Sequence, residues 1–152
     1  MSDIAMQQIF DEHAINRVLA EYCLRLEVNA FDEWLDLFTD DAVYEVHHRV
    51  LTGRAEISAM LSQAPHGVHL PGATRITLDG DTAEVIQSYL FVANSNDSWN
   101  SGWYDRTLVR TTDGWKISRT VVKMARFGDL SPNEKANRLE FPVSLNRGIG
   151  RA

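Results

Sequence analysis

The stretch 68–93, VHLPGATRITLDGDTAEVIQSYLFVA, decides the architecture, because two alternating segments, Val68 to Leu78 and Thr82 to Ala93, meet across Asp79-Gly80. An Asp-Gly pair between alternating apolar segments is among the strongest short-range hairpin signals. Downstream the signal recurs: Gly102 to Thr111 meets Trp115 to Met124 across Thr112-Asp113-Gly114. The run Asn94 to Asn100 between the hairpins is polar and turn-rich and predicts a long surface loop. Upstream the period changes. From Gln7 to Glu27 the residues Ile15, Val18, Leu19, Tyr22, Cys23 and Leu26 recur at three- and four-residue steps, drawing one apolar stripe along a helix. Asp32 reads as the N-cap of a short second helix carrying Trp34, Leu35, Leu37 and Phe38, with Phe31 as a hydrophobic staple. Thr39-Asp40-Asp41 reads as a break, and Ala42 to Val50 alternates as a strand with Tyr44, Val46, His48 and Val50 on one face. Arg54 to Ser62 predicts a third helix, closed by Pro65.

Helix, helix, strand, helix and then four strands is an α+β order, in which a curved sheet wraps a long helix and leaves a pocket on its concave side. No repeat or composition shift divides the chain, so residues 1–126 are expected to form a single domain. Residues 127–152, with Leu139, Phe141, Val143, Leu145 and Ile149 among Pro and Gly, are expected to form a tail packing on the domain or a neighbouring subunit.

Composition narrows the function. The chain has 152 residues, 44% hydrophobic and 24% charged, the profile of one globular domain large enough for a core without staples. Cys23 is the only cysteine, which excludes an internal disulfide and any multi-cysteine zinc site. A net charge of −6 offers no basic footprint for nucleic acid. No apolar run approaches a membrane span and the N-terminus has no basic leader, so a cytoplasmic protein without membrane attachment is expected.

The titratable residues suggest a site. Glu27 follows the buried stripe at the C-terminal end of the first helix, where the helix dipole disfavours a negative charge and a partner is wanted. His69 could be that partner, since a carboxylate on one imidazole nitrogen leaves the other as a base near neutral pH. By themselves the residues fit a solvated helix end and a satisfied core histidine better than a dyad, because most single His and Glu residues are structural. His66, between Pro65 and Gly67, belongs to a turn. His47 and His48, as strand neighbours, would point to opposite faces and cannot share a metal; no H-E-x-x-H spacing or calcium loop occurs, so no metal or other cofactor is expected. Strict alternation puts Lys123 on the Trp115, Ile117, Arg119 and Val121 face, where it could stabilise an enolate or a leaving anion, while Arg119 would brace an acid. Tyr22, Tyr44, Tyr89, Tyr104 and His48 are candidate lining for a pocket suited to a small hydrophobic or aromatic ligand.

The runs 31–44, FDEWLDLFTDDAVY, 79–83, DGDTA, and 113–119, DGWKISR, together resemble the SnoaL-like branch of the nuclear transport factor 2-like superfamily. That resemblance, over about residues 8 to 126, implies a cone-shaped fold with a curved, antiparallel-rich mixed sheet wrapped on three N-terminal helices. Its nearest look is to scytalone dehydratase and hexachlorocyclohexane dehydrochlorinase, which implies a cofactor-independent lyase or isomerase acting on a small ring-containing hydrophobic substrate. It also implies that His69 abstracts the proton, Glu27 orients it and Lys123 or a tyrosine holds the developing anion. Glu27 replaces the Asp usual in those relatives, their pocket tyrosines match Leu26 and Val46, and the dehydrochlorinase's arginine meets Lys123. A homotrimer, or failing that a dimer, is implied as well. The run 31–38 also resembles the non-catalytic small subunit of ring-hydroxylating dioxygenases, and a non-catalytic pocket binding a small ligand is a third reading.

Overall fold

The computed structural model describes residues 2–96 and 98–130. Three helices, α1 (Asp3–Glu27), α2 (Phe31–Leu35) and α3 (Gly53–Leu61), accompany six strands, β1 (Phe38–Val46), β2 (Arg49–Thr52), β3 (Gly67–Asp79), β4 (Thr82–Ala93), β5 (Ser98–Thr111) and β6 (Gly114–Asp129). The strands form one sheet in the order β2-β1-β6-β5-β4-β3. Only β1 and β6 run parallel. The hairpins and helices give the expected α+β class, and the parallel β1–β6 pair makes the antiparallel-rich mixed sheet that the family resemblance implied.

Helix α1 begins at Asp3 rather than Gln7, because Ser2 caps it through the Ala5 N–H. Ile15, Leu19, Tyr22 and Cys23 of the predicted stripe are buried, Val18 and Leu26 are partly buried beside them, and Asp11 is buried as well. Asp32 is not the cap of α2. Ala30 holds that position without a side-chain bond, and Asp32 lies in the first turn, where its charge suits the helix dipole.

The expected strand from Ala42 to Val50 is a hairpin. β1 starts at Phe38, absorbing Thr39-Asp40-Asp41, and the chain reverses at His47 and His48 with φ of 49° and 63°. Positive φ at both central residues is what a tight two-residue hairpin turn requires, and Gly, Asn or Asp usually signals it. Two histidines give no such signal. The long loop after β4 is also shorter than expected, because Ser98, Trp99 and Asn100 already pair within β5.

In β6 the register slips at Ser118 and again at Ala125. Each extra residue reverses the alternation, so Trp115, Ile117, Thr120 and Val122 share the concave side while Arg119, Val121 and Lys123 lie on the other. Gly102 sits opposite the second slip, where an added Cβ would lie 1.9 Å from the Lys123 carbonyl oxygen. β6 runs on to Asp129, past the expected domain end at 126. The rest of the expected tail, 131–152, lies outside the described residues. No helix among the described residues is long and apolar enough to cross a membrane.

One polar cluster ties α1 to the second hairpin. The Arg110 guanidinium donates to both Asp11 carboxylate oxygens at 2.6 and 2.7 Å, the Trp115 indole N–H donates to Oδ1 at 3.2 Å, and Gln7 adds a further donor. Arg110 also bonds Asp81 in the β3–β4 turn at 2.8 Å and stacks on the Trp115 ring. These donors, Arg110 foremost, hold the Asp11 pKa down from 3.8 to about 2 against the opposing effect of burial. A depressed carboxylate pKa stabilises the fold above the unfolded value and is lost as pH falls through the folded one. Urea midpoints should therefore drop between pH 4 and pH 2 in the wild type by more than in Asp11→Asn. At pH 7 Asp11→Ala should cost roughly 2 kcal/mol, because it strands charge-assisted donors at a part-buried site.

Candidate active site

The concave face and the helices enclose a cavity of about 340 Å³. Its wall takes Tyr22 and Leu26 from α1, Met60 and Leu61 from α3, and Val122 and Met124 from β6. Tyr44, His69, Tyr89 and Tyr104 come from four further strands. A volume of this order suits a small organic molecule.

All four tyrosines of the chain reach the cavity. The Tyr22 and Tyr44 hydroxyls are 2.7 Å apart, and Tyr104 stacks on Tyr89 with ring centroids 4.4 Å apart. Burial raises every one of these pKa values, that of Tyr89 to about 12, so all four are neutral donors at pH 7. One proton lies between Tyr22 and Tyr44. The accepting hydroxyl keeps its own proton for another oxygen, and the buried Tyr89 hydroxyl has no partner at all.

His69 lines the same cavity, its ring 4.7 Å from that of Phe91 and its Nδ1 buried without a hydrogen-bond partner. Burial lowers its pKa from 6.5 to about 4, opposed by the Gly67 carbonyl and assisted by the positive charge of Arg106. The imidazole is therefore neutral at pH 7. Glu27 is close but does not hold the ring. Its Oε1 accepts the main-chain N–H of His69 at 3.0 Å. The physical reason is the sheet edge: among the described residues β3 has a strand neighbour only on the β4 side, so a strand N–H turned outward needs an acceptor, and the end of α1 supplies one. Glu27 thus positions the strand that carries His69 instead of selecting the imidazole tautomer.

Two expected residues lie elsewhere. His48 occupies the β1–β2 turn and is absent from the cavity wall, where His47 and Arg49 stand instead. Lys123 is on the convex side because of the slip at Ser118, and its Nζ donates to Asp105 at 2.8 Å. Arg119 makes a similar exposed brace with Glu45 at 2.9 Å. His66 precedes β3 and is not idle in a turn: its Nδ1 lies 2.6 Å from the Asn29 Oδ1, and both residues line the cavity mouth.

The residue that sequence reasoning missed is Arg106. It is 0% exposed, donates from Nη1 to the Gln87 Oε1 at 3.0 Å, and lies 4.2 and 4.0 Å from the ring centroids of Tyr22 and Tyr104. Its Nε and Nη2 have no hydrogen-bond partner. The available signal was alternation, since Tyr104, Arg106 and Leu108 occupy successive inward positions of β5. Among the described residues no cluster of three or more His, Cys, Asp or Glu could hold a metal ion.

A SnoaL-like domain model matches residues 7–121, and the chain belongs to that family, within the nuclear transport factor 2-like superfamily. It is 29% identical over 133 residues to the uncharacterized protein Rv2910c of Mycobacterium tuberculosis, a match spanning 79% of this chain and 89% of that one. A proposed scytalone dehydratase from Novosphingobium aromaticivorans shares the fold with a TM-score of 0.76 at 20% identity, covering 84% of this chain and 92% of that chain. A type 2 hexachlorocyclohexane dehydrochlorinase, LinA, does so with a TM-score of 0.79 at 15% identity, covering 88% of this chain and 98% of that chain.

The contact between Glu27 and the His69 main chain has a measurable consequence. Glu27→Gln retains an acceptor oxygen and should leave the His69 amide nearly as protected from hydrogen exchange as in the wild type. Glu27→Ala orphans that N–H, so exchange at His69 should accelerate and stability should fall by about 1 to 3 kcal/mol. Equal losses in Gln and Ala variants would mean that charge, not the main-chain bond, is what matters.

Proposed function

We propose that this SnoaL-like domain is a cofactor-independent, dehydratase-like lyase or isomerase acting on a small ring-containing hydrophobic substrate, with His69 as the base. The observation that carries the reading is a neutral, buried imidazole in the wall of an aromatic cavity whose tyrosine hydroxyls keep protons to donate. His69 takes a proton from carbon beside an electron-withdrawing group, and the electron pair of that C–H bond forms the new double bond. A tyrosine hydroxyl donates to the oxygen that gains charge or to the departing group. Departure of water or halide makes the reaction a lyase, and return of the proton to another carbon makes it an isomerase. Burial weakens His69 as a base at rest, but an anion developing beside it stabilises the imidazolium and offsets that effect. The fold likeness to a proposed scytalone dehydratase and to LinA supports this class.

The test is a panel of small hydroxylated and halogenated ring compounds scored for proton exchange with deuterated water and for elimination. His69→Gln should lower kcat by about 10² to 10⁴ while leaving KM nearly unchanged. The acid limb of the wild-type rate should lie near pH 4 rather than near 6.5, because only the neutral imidazole accepts a proton. Turnover indifferent to His69→Gln would remove His69 from the chemistry.

The convex face of the sheet favours assembly. Leu70 and Leu90 are cross-strand partners there, and Leu70 and Trp103 are 51% and 42% exposed, so this face presents large apolar side chains to water. We infer a homo-oligomer, a trimer first and a dimer second, and sedimentation at micromolar concentration should show it; a monomer there would refute this. The same face suits the alternative reading as the non-catalytic small subunit of a ring-hydroxylating dioxygenase. Stable association with such a catalytic subunit, with no turnover across the panel, would favour that alternative.

A further inference from the structure

We propose that Arg106 makes the cavity selective for the anionic form of its ligand, a ring compound bearing an acidic oxygen such as a phenolate or enolate, and that it acts through Tyr22 and Tyr104 without touching that ligand. The inference deepens the reading of the cavity as an active site and rests on it only for the place where the ligand lies.

A fully buried guanidinium is costly unless a negative group lies near. Arg106 has no carboxylate partner: its one hydrogen bond goes to the neutral Gln87 amide, and none of the ion pairs among the described residues includes it. The two carboxylates of α1 that face the sheet are committed elsewhere, Glu27 to the His69 main chain and Asp11 to Arg110 and Trp115. Around Arg106 stand Tyr22 from α1, Tyr104 from β5, and its cross-strand neighbours Val85 on β4 and Thr120 on β6. Each is a neutral group.

The charge is aimed at the cavity in a defined way. Arg106 lies behind the rings of Tyr22 and Tyr104, and those two rings are cavity wall. Its field also acts on His69, Tyr22 and Tyr44, in each case favouring the less positive or more negative form. A ligand oxygen against the tyrosine wall would be one ring's thickness away, about 8 Å, where Coulomb attraction at an effective dielectric of about 20 favours an anion over its neutral form by roughly 10- to 30-fold. The unshared proton of the Tyr22–Tyr44 pair supplies the hydrogen bond that an anionic oxygen accepts best. Arg106 is thus a positioning residue. It keeps the donors in place and sets the sign of the potential they present, which in the proposed reaction assists the oxygen that gains charge.

The experiment uses 4-nitrophenol, whose two forms differ in absorbance, titrated while bound to the full chain. With wild-type protein the midpoint of the bound phenol should fall by about one pH unit or more below that of the free compound. Arg106→Met, verified as folded by circular dichroism, should return the midpoint to the free value or above it. Arg106→Lys keeps the charge and should retain part of the shift. His69→Gln should leave most of it in place, so loss of turnover and loss of charge preference are separable outcomes. A wild-type midpoint at or above the free value, an unchanged shift in Arg106→Met, or no binding at millimolar concentration would each overturn the proposal. Should Arg106→Met fail to fold, the wild-type midpoint and Arg106→Lys decide the matter.

Discussion

A buried positive charge organises this molecule. Arg106 is held against the rings of both Tyr22 and Tyr104, with Gln87 as its hydrogen-bond acceptor, in an interior where an unpaired ion is disfavoured by several kcal/mol. Aromatic faces offset part of that cost, which constrains where the rings can stand. Tyr22 then packs on Trp34 and Phe38, and Tyr104 stacks on Tyr89, so the ring cluster spreads outward from the guanidinium to form the cavity wall. The wall also carries His69, Asn29, Arg49 and His66, but its tyrosines join an apolar face to a hydroxyl donor. Binding energy for an apolar ring and donors for a developing charge therefore come from the same side chains.

Two carboxylates set α1 against the sheet from opposite ends. Asp11 is clamped by Arg110 and Trp115, which tie the helix to the second hairpin, and Glu27 accepts a main-chain N–H from the edge strand β3. Between these anchors the apolar stripe of the helix fills the cone, and beyond Glu27 the sheet and helix diverge around the cavity. His69 is thereby fixed at the point where the second anchor holds its backbone. That arrangement gives a glutamate in this place a structural part in the site without contact to the imidazole.

Much of this was legible along the chain. The period of the apolar residues revealed α1, and Asp79-Gly80 and Asp113-Gly114 revealed both long hairpins, because these signals act over a few residues and depend on local sterics. The structure places the four tyrosines in the cavity wall and Glu27 beside the His69 main chain. The Glu27–His69 bond was not legible, since whether a carboxylate meets a ring nitrogen or a backbone N–H depends on which strand lies at the sheet edge. His48 and Lys123 were misplaced for a shared reason. A turn at His47-His48 and a single extra residue at Ser118 each reverse the parity of a strand, and parity errors send every later side chain to the wrong face.

By itself, then, the amino-acid sequence determined the α+β class, the three helices, both long hairpins and the family, since these follow from local periodicity, turn chemistry and motifs read in a line. Tertiary structure alone decided which side chains converge. The guanidinium of Arg106 under two tyrosines, the Tyr22–Tyr44 hydroxyl pair and the Glu27 bond to the β3 edge join residues from separate elements. Their meeting depends on strand register, bulges and sheet order, which are set by the packing of the whole core and leave no local mark on the chain.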